Sequence, residues 1–424
     1  VAISGAGATA TNTIDNDTVA TIDGGAIDSA GPVTVKATFE SEIHALIVAA
    51  SAAVGADPTA GIGAAIGIAV ALNKIGNGAA DRSAVTASIN NAIVHADGAL
   101  AVEATSDSTI DAIVAAGSVA LAAGTAGVAV SGAGVGTTNE IAVATHAAIV
   151  GDGSGANAGV HAASITVAAS DTSHIDADAG AAAIAFAFGS TAVGISIGLS
   201  IAENKISNDL AATILNADDK VEATDGAGTG IVVQATDNAS IDAISAAASF
   251  AVGIGFGTGG IAISGAGATA KNTINSNTAA SVSGTTLESA DAVTVEAIST
   301  SSITATVAAL ALAIGADPSA GIGVAIGVSV AINQIGNWTI PNNPDNDPLL
   351  APTFDANGSG GVRATIVNSD VTAAGTLNAH AKADQTIDAL VVAGSAAVAG
   401  GTVGVGVAGA GVYTENMIGV LTEA

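Results

Sequence analysis

Oxygen-bearing side chains in loops are the residues best suited to chemistry in this 424-residue sequence. One loop holds four of them close together: Asp345, Asp347, Asp355 and Asn357. Calcium binds six to eight such oxygens, so this loop predicts a calcium site, and the same argument applies to Asp15 and Asp17. Asp, Asn, Pro and Gly are also the ordinary residues of solvated turns, and on that interpretation the loop needs no cofactor.

The histidines and serines do not form a catalytic or metal-binding pattern. Six histidines are scattered along the chain: His44, His95, His146, His161, His174 and His380. None has the spacing of a metal-ligand pair, no serine lies in a nucleophile elbow, and glycine pairs such as SGAGATA lack the lysine of a phosphate loop. With one Trp and one Tyr, the chain is also poor in sugar contacts. We therefore expect a protein that is not an enzyme.

The asparagines of a recurring motif point to a structural role. Five of them close a run of alternating small and apolar residues: Asn73, Asn139, Asn204, Asn272 and Asn333. They are predicted either to bond their amides between repeat units, as a ladder, or to cap strand ends. Asn12 and Asn416 occupy the same place in the motif at the two ends of the sequence.

These marker asparagines define a repeat. Their spacings of 61, 66, 65, 68, 61 and 83 residues predict one continuous array of about 65-residue units over residues 1–424. The units end near residues 16, 77, 142, 208, 276, 337 and 419, and the last spacing is long because residues 338–361 are an inserted loop. The stretch GADPTAGIGAAIGIAVALNKIGN, at 55–77, returns 260 residues later as GADPSAGIGVAIGVSVAINQIGN.

Within each unit the residues alternate with a period of two, which is the pattern of a β-strand. Between 322 and 332, Ile and Val occupy one face and Gly, Ala and Ser the other. So much glycine would cost a helix about 1 kcal/mol per residue, so the uncharged segment 112–136 is interpreted as strand rather than as a membrane helix. We predict an all-β, β-solenoid-like stack of long strands or hairpins without significant helix.

The arm that precedes each turn changes character along its length. From Thr294 to Thr306 one face is polar, and beyond it the same face carries Ala308, Leu310, Leu312 and Ile314. We therefore expect the far half of this arm to be covered on both sides, by another layer of the same chain or by a neighbour. The chain also opens directly on a return arm, which predicts end-to-end continuation, either by stacking of copies or as part of a longer chain.

Composition narrows the class of partner. The net charge of −29 argues against nucleic acid and anionic membranes, because phosphate binding requires clustered Lys and Arg. The chain has no cysteine, so disulfides and thiolate metal sites are excluded. It starts without Met or a signal-peptide pattern, as expected of a mature product or of a piece of something longer.

The motifs resemble the repeat regions of large secreted bacterial surface proteins, the filamentous-haemagglutinin-like and leukotoxin-like adhesins. The resemblance rests on three phrases: GIGAAIGIAVALNKI at 61–75, AVTASINNAIVHADGALAVEA at 84–104 and STIDAIVAAGSVALAAG at 108–124. It implies a β-solenoid, an extracellular or cell-surface location in a prokaryote, and a fibrous or adhesive role. It transfers no catalytic residue.

Two functions are compatible with these observations. The first is a structural segment or subunit of an extracellular fibre, stabilised by stacked sheets with small-residue interfaces and self-associating end to end and laterally. The second is an adhesin that contacts a host or neighbouring-cell ligand through the 338–361 insert, in a calcium-dependent manner. Neither function involves nucleic acid or insertion into a membrane.

Overall fold

The computed structural model describes residues 1–153, 158–217, 219–226, 230–339, 353–355 and 360–424. Regular structure within these ranges consists of β-strands without helix, which confirms the predicted all-β, solenoid-like fold. Because no helix is present there, no described helix could span a membrane, and the uncharged segment 112–136 belongs to two strands.

The longest strands form two sets of arms that alternate along the chain. Outgoing arms lie in Val33–Ala56, Leu100–Ala123, the first parts of Ile165–Ile206 and Ile231–Ile274, Val293–Ala316 and Leu377–Gly400. Seven return arms, numbered here in chain order, lie in Ala2–Ile14, Ala60–Ile75, Ala126–Ile141, the second parts of Ile165–Ile206 and Ile231–Ile274, Ala320–Gly336 and Val403–Gly419. A short turn joins each outgoing arm to the next return arm.

Shorter strands complete each coil. One sheet contains Thr18–Asp23, Ser83–Asn90, Val143–Val150, Asp209–Leu215, Asn277–Ser283, Gly361–Val367 and Leu421–Glu423. Another contains Ala26–Ser29, Ile93–Ala96, Val160–Ala162, Val221–Ala223, Thr286–Ser289 and Asp370–Ala373. Trp338–Thr339 and Thr353–Phe354 form a separate antiparallel pair at the edges of the insert.

All strands of the coils pair in parallel with the same strand of the neighbouring coil. The first return arm pairs with the second from Ala2↔Gly63 to Ile14↔Ile75, and the pairing continues in register through the seventh. The two arms on either side of a turn pack face to face and are not paired with each other. They are therefore arches rather than hydrogen-bonded hairpins, because their backbone groups are used between coils.

The lower part of each coil is a three-sided body with a conventional core. Val, Ile and Leu side chains point inward from all three sheets, as in Ile110, Ile149 and Ile175, and are fully buried. The outward face of the outgoing arms carries charged residues here, including Glu40, Glu42 and Asp107. Burial of branched aliphatic side chains stabilises each layer of this body by about 1.5–3 kcal/mol per residue.

The upper part, which we call the fin, consists of the two arms alone. It comprises residues 1–10, 47–71, 114–137, 179–202, 245–270, 307–331 and 391–414. Its interior is filled mainly by alanine, as in Ala65, Ala120 and Ala185. Small side chains allow the two layers to approach so closely that serine hydroxyls reach the opposite layer: Ser131 Oγ donates to Ser118 O at 2.9 Å and Ser264 Oγ to Ser249 O at 2.8 Å.

Glycines on the inner face are required by this close approach. A Cβ added at Gly67 would lie 2.5 Å from Gly117 O, and one at Gly327 would lie 2.5 Å from Gly394 O. Cβ atoms do not approach backbone oxygens this closely, so no larger residue fits without separating the layers.

The fin answers one half of the expectation that a layer of this chain or of a neighbour covers the outer face of the outgoing arm. Leu310 is 55% exposed, and Ala308, Leu312 and Ile314 are only half-buried, so the described residues do not supply that layer. The opposite face, with Val307, is the one covered by the return arms. Small residues fill the inside of the fin, and bulky residues lie outside.

Candidate functional site

A ladder of asparagine side chains lies at the base of the fin. Asn12 Nδ2 donates to Asn73 Oδ1 at 2.8 Å, and an equivalent bond of 2.8 Å joins each later return arm to the next, up to the seventh. The later links join Asn73, Asn139, Asn204, Asn272, Asn333 and Asn416 in order. Each link spans 61 to 83 residues of sequence. The ladder therefore ties every return arm to the next, through side chains that are buried from Asn73 to Asn333, whereas Asn12 is half-buried and Asn416 is exposed.

Both outer faces of the fin are apolar and exposed. On the outgoing face, Val48 and Val54 of the first coil are 61% and 65% exposed, and similar residues recur in later coils. A shallow groove of about 430 Å³ crosses this face between Ile184, Phe250 and Leu312. Contiguous exposed apolar surface is unusual for a monomeric soluble protein and is typical of interaction sites.

The return face of the fin is corrugated. Seven return arms lie side by side, and the outward residues at two neighbouring positions alternate between large and absent side chains. At the first position they are Gly5, Ile66, Gly132, Ile197, Gly265, Ile326 and Gly409. At the second position they are Gly7, Ile68, Gly134, Leu199, Gly267, Val328 and Gly411. We call the even arms ridge arms and the odd arms groove arms.

Most glycines of the groove arms face open space. The exceptions are Gly267, where a Cβ would lie 3.2 Å from Leu199 Cδ1, and Gly132, where it would lie 3.9 Å from Ile66 Cγ1. A Cβ at Gly134, Gly136 or Gly265 would meet no atom within 4 Å, in contrast to the inner glycines. Glycine weakens a strand by roughly 0.5–1 kcal/mol relative to alanine. At the open positions, glycine therefore reduces stability without being needed for the packing of the described residues.

Charge is segregated between the two parts of the molecule. Within the fin the only ionisable side chains apart from Tyr413 are Asp57 and Asp317, both in turns at its tip. Asp57 Oδ1 accepts hydrogen bonds from the Thr59 hydroxyl at 2.5 Å and from the Ala60 and Thr59 backbone N–H groups, which lower the pKa of Asp57 to about 2. Asp317 Oδ1 accepts from the Ser319 and Ala320 backbone N–H groups of its own turn, and its Oδ2 accepts from Gly257 N–H of the neighbouring turn. Both carboxylates are thus satisfied by turns at the tip, and the remaining negative charge of the chain lies outside the fin.

The predicted calcium residues are not brought together by what the structure describes. Asp345, Asp347 and Asn357 lie outside the described residues. The backbone of Asp355 bonds to Asn337, with Asp355 N–H donating to Asn337 O at 3.0 Å. Asp17 Oδ1 accepts from Ala84 N–H at 2.9 Å, which is a structural cap between coils. Across the described ranges no group of three or more His, Cys, Asp or Glu could hold a metal ion.

Stacking brings some of the scattered histidines near other polar groups. His95 and His161 lie in neighbouring coils with their rings stacked at 4.8 Å, and His161 Nδ1 lies 2.9 Å from Glu222 Oε2. His380 Nδ1 lies 2.9 Å from Glu296 Oε1. Each contact joins adjacent coils along the stack. Like the asparagine bonds, these contacts serve to hold coils in register.

The sequence did not reveal a buried acid pair inside the body. Asp171 and Asp237 are directly paired in neighbouring coils and are fully buried. Asp171 accepts hydrogen bonds from Ser106, Ser173 and Asn208, whereas Asp237 Oδ2 accepts from Ser299 and its Oδ1 has no partner among the described residues. Burial raises the pKa of Asp171 to about 6, and burial together with the neighbouring Asp171 raises the pKa of Asp237 well above its usual value.

Comparison with known proteins adds no relative to these observations: no family model, no curated protein and no solved structure matches the chain. The resemblance noted from the motifs therefore stays a resemblance. The ladder, the fin and the distribution of charge are the features of the molecule that bear on its function.

Proposed function

We propose that this chain is a structural segment of an extracellular fibre or surface stalk of a prokaryotic cell. The observation that carries the proposal is the continuous ladder of asparagine hydrogen bonds across seven arms. These arms are paired in parallel and in register. A stack of this kind adds each coil by the same set of backbone bonds, so further coils of the same pattern extend it without a new type of contact.

The dimensions support a fibre rather than a compact particle. Six strand spacings of about 4.8 Å make the stack about 29 Å tall, whereas an outgoing arm of 24 residues extends about 79 Å. Each chain is then a short section of a flat ribbon. A net charge of −29, carried by the body, keeps such a ribbon soluble.

End-to-end continuation is part of this proposal, through stacked copies or a longer chain. The expected result of negative-stain imaging is ribbons about 80 Å wide, and aligned material should diffract at about 4.8 Å along the ribbon axis. Compact single particles at every concentration, without ribbons, would contradict the structural function.

A deletion separates this function from the adhesin. Removal of residues 338–360 keeps Gly361 as the first residue of the strand Gly361–Val367 and leaves the coils on either side to pair as Asn333 and Asn416 already do. A fibre segment keeps its ribbons and its attachment to cells after this deletion. Loss of attachment with intact ribbons would instead favour an adhesin whose ligand is bound by the insert.

A further inference from the structure

We propose that the corrugated return face of the fin is a self-pairing surface, which binds the same face of a second copy of this chain with ridge arms in groove arms. The inference rests on the structural function proposed above and names the surface through which two stacks join side by side. No charged side chain interrupts this surface between its tip row at Ile62 and the row of Val70, which consists of Thr9, Val70, Gly136, Ile201, Thr269, Val330 and Tyr413.

The spacing of the surface matches itself. Ridge arms are two strand spacings apart, about 9.6 Å, and the groove between them is floored by glycine backbone. The gap left between two ridges is about the width of one aliphatic side chain. The ridge residues are also the ones left in solvent: Ile66 is 52% exposed, Ile197 56% and Ile326 53%.

A simple symmetry operation brings ridges and grooves together. A two-fold axis that runs parallel to the strands, midway between a ridge arm and a groove arm, places each ridge of one copy over a groove of the other. The contact is isologous and therefore closes as a pair. With the axis beside the fourth return arm, Leu199 of one copy faces Gly134 or Gly267 of the other, because these three residues share one row.

The size of the surface is sufficient for a stable contact. Eight residue steps of about 3.3 Å and six strand spacings of about 4.8 Å give about 800 Å² per copy. Stable protein interfaces bury about this area on each partner. Nearer the tip, Ile and Val occupy this face in almost every arm, as in Ile62, Val128 and Val193, and pack as an ordinary sheet-on-sheet contact at about 10 Å.

This pairing explains why glycine occupies the outer positions of the groove arms. Gly134 and Gly265 could hold side chains without any clash within one chain, yet a side chain there would occupy the space that a ridge of the second copy needs. The same surface places the two acidic bodies side by side, so association should strengthen as salt screens their repulsion.

The test is sedimentation velocity of the full chain and of two double variants. Gly134→Val/Gly265→Val fills two grooves, and Gly117→Val/Gly180→Val makes the same change at open positions on the outgoing face of the fin. We expect the groove variant to associate side by side at least about tenfold more weakly than the parent, a loss of about 1.4 kcal/mol, while the control associates like the parent. Equal association of all three proteins, or a parent that never associates, overturns the proposal.

Cross-linking checks the geometry, since the chain has no cysteine of its own. Leu199→Cys mixed with Gly134→Cys or Gly267→Cys should form a disulfide-linked heterodimer on oxidation, whereas Leu199→Cys mixed with Gly117→Cys should not. Cross-linking that is equally efficient for all of these mixtures would show unspecific contact and overturn the pairing.

Two further readouts separate the other outcomes. Flotation with neutral phosphatidylcholine vesicles should leave the protein unbound, and binding by parent and groove variant alike would make lipid the occupant and overturn the proposal. In negative stain, the groove variant should keep its ribbons but show them single. Ribbons that stay paired in this variant would refute the pairing while leaving the structural function intact, and a parent without ribbons would refute the structural function itself.

Discussion

The body and the fin are built by the same arms but follow opposite rules of packing. In the body, branched side chains such as Ile175 point inward and charged groups point outward. In the fin, alanine and glycine point inward and Ile and Val point outward. The difference teaches that the size of the inward residue sets the distance between layers, and that two very close layers leave their bulky side chains free for another contact.

The largest expected effect comes from a side chain forced between the layers of the fin. Gly67→Val should lower the free energy of unfolding by more than about 4 kcal/mol, because its Cβ would meet Gly117 O at 2.5 Å. The measurement is denaturant unfolding followed by circular dichroism. Gly117→Val is the matched control, since its side chain would point into open space, and equal losses in the two variants would show that the layers can separate.

The second effect compares isoleucines of the two regions. Ile175→Ala should cost about 2–5 kcal/mol because it leaves a cavity in the body core, where Ile175 is fully buried. Ile197→Ala on a ridge arm should change stability by no more than about 0.5 kcal/mol in dilute solution, because Ile197 is 56% exposed. A large loss for Ile197 in dilute solution would mean that the outer face is already packed within one chain.

The third effect lies at the boundary between body and fin. Asn139→Ala removes both ladder hydrogen bonds of Asn139 and its contact with the Thr137 hydroxyl, and it leaves the Asn73 amide and the Asn204 carbonyl without their ladder partners. The expected cost is about 2–4 kcal/mol. Asn238→Ala, on the exposed face of an outgoing arm, is the control. A thermal unfolding midpoint that does not change in the Asn139 variant would contradict a stabilising ladder.

The fourth effect concerns the acid pair in the body and is measured as a slope against pH. Because burial raises the pKa of Asp171 to about 6 and raises the pKa of Asp237 well above its usual value, the folded chain holds protons that the unfolded chain has released. Their contribution is complete below about pH 4 and is lost as the pH rises through the folded pKa, which is about 6 for Asp171, at up to about 1.4 kcal/mol per pH unit for each group. Chemical unfolding at a series of pH values measures this slope.

Asp237→Asn tests the assignment of that slope. An amide cannot ionise, so the variant should lose less stability than the parent as the pH rises above about 4. Asp242→Asn removes an equal charge from the exposed face of the same arm and controls for general repulsion in this acidic chain. Parallel pH profiles of the Asp237 variant and the parent would show that the pair is not the source.

The sequence predicted the architecture better than the surfaces. Period-two alternation between residues 322 and 332 predicted strands and showed which residues share a face, and the structure has a strand there. The same pattern suggests the wrong face for burial. Transfer from water favours burial of Ile and Val over Gly and Ala, so the bulky face would be expected inside. Only the approach of two backbones, visible at Gly67 and Gly327, reverses that preference.

Two features could be found only through the pairing of coils. The alternation of Gly132, Ile197 and Gly265 is spread over residues more than 60 apart, and it appears when the arms are aligned at their marker asparagines. The buried pair Asp171 and Asp237 resembles any other aspartates of the chain until register places both inside the body. Neither relationship can be recognised from the spacing of residues within one unit.

The asparagine ladder disfavours one kind of folding error, a slip in register between neighbouring arms. Arms composed of Ala, Gly and Val could slide past one another by two residues and still present similar faces, so their own pattern specifies register weakly. A slip of two residues would oppose Asn73 to Thr137 or Ile141 instead of Asn139 and break the chain of amide bonds on both sides. One asparagine per arm therefore fixes the register. A misaligned coil loses the amide hydrogen bonds that an aligned coil forms, so it is less stable, even though the rest of the arm sequence would tolerate the slip.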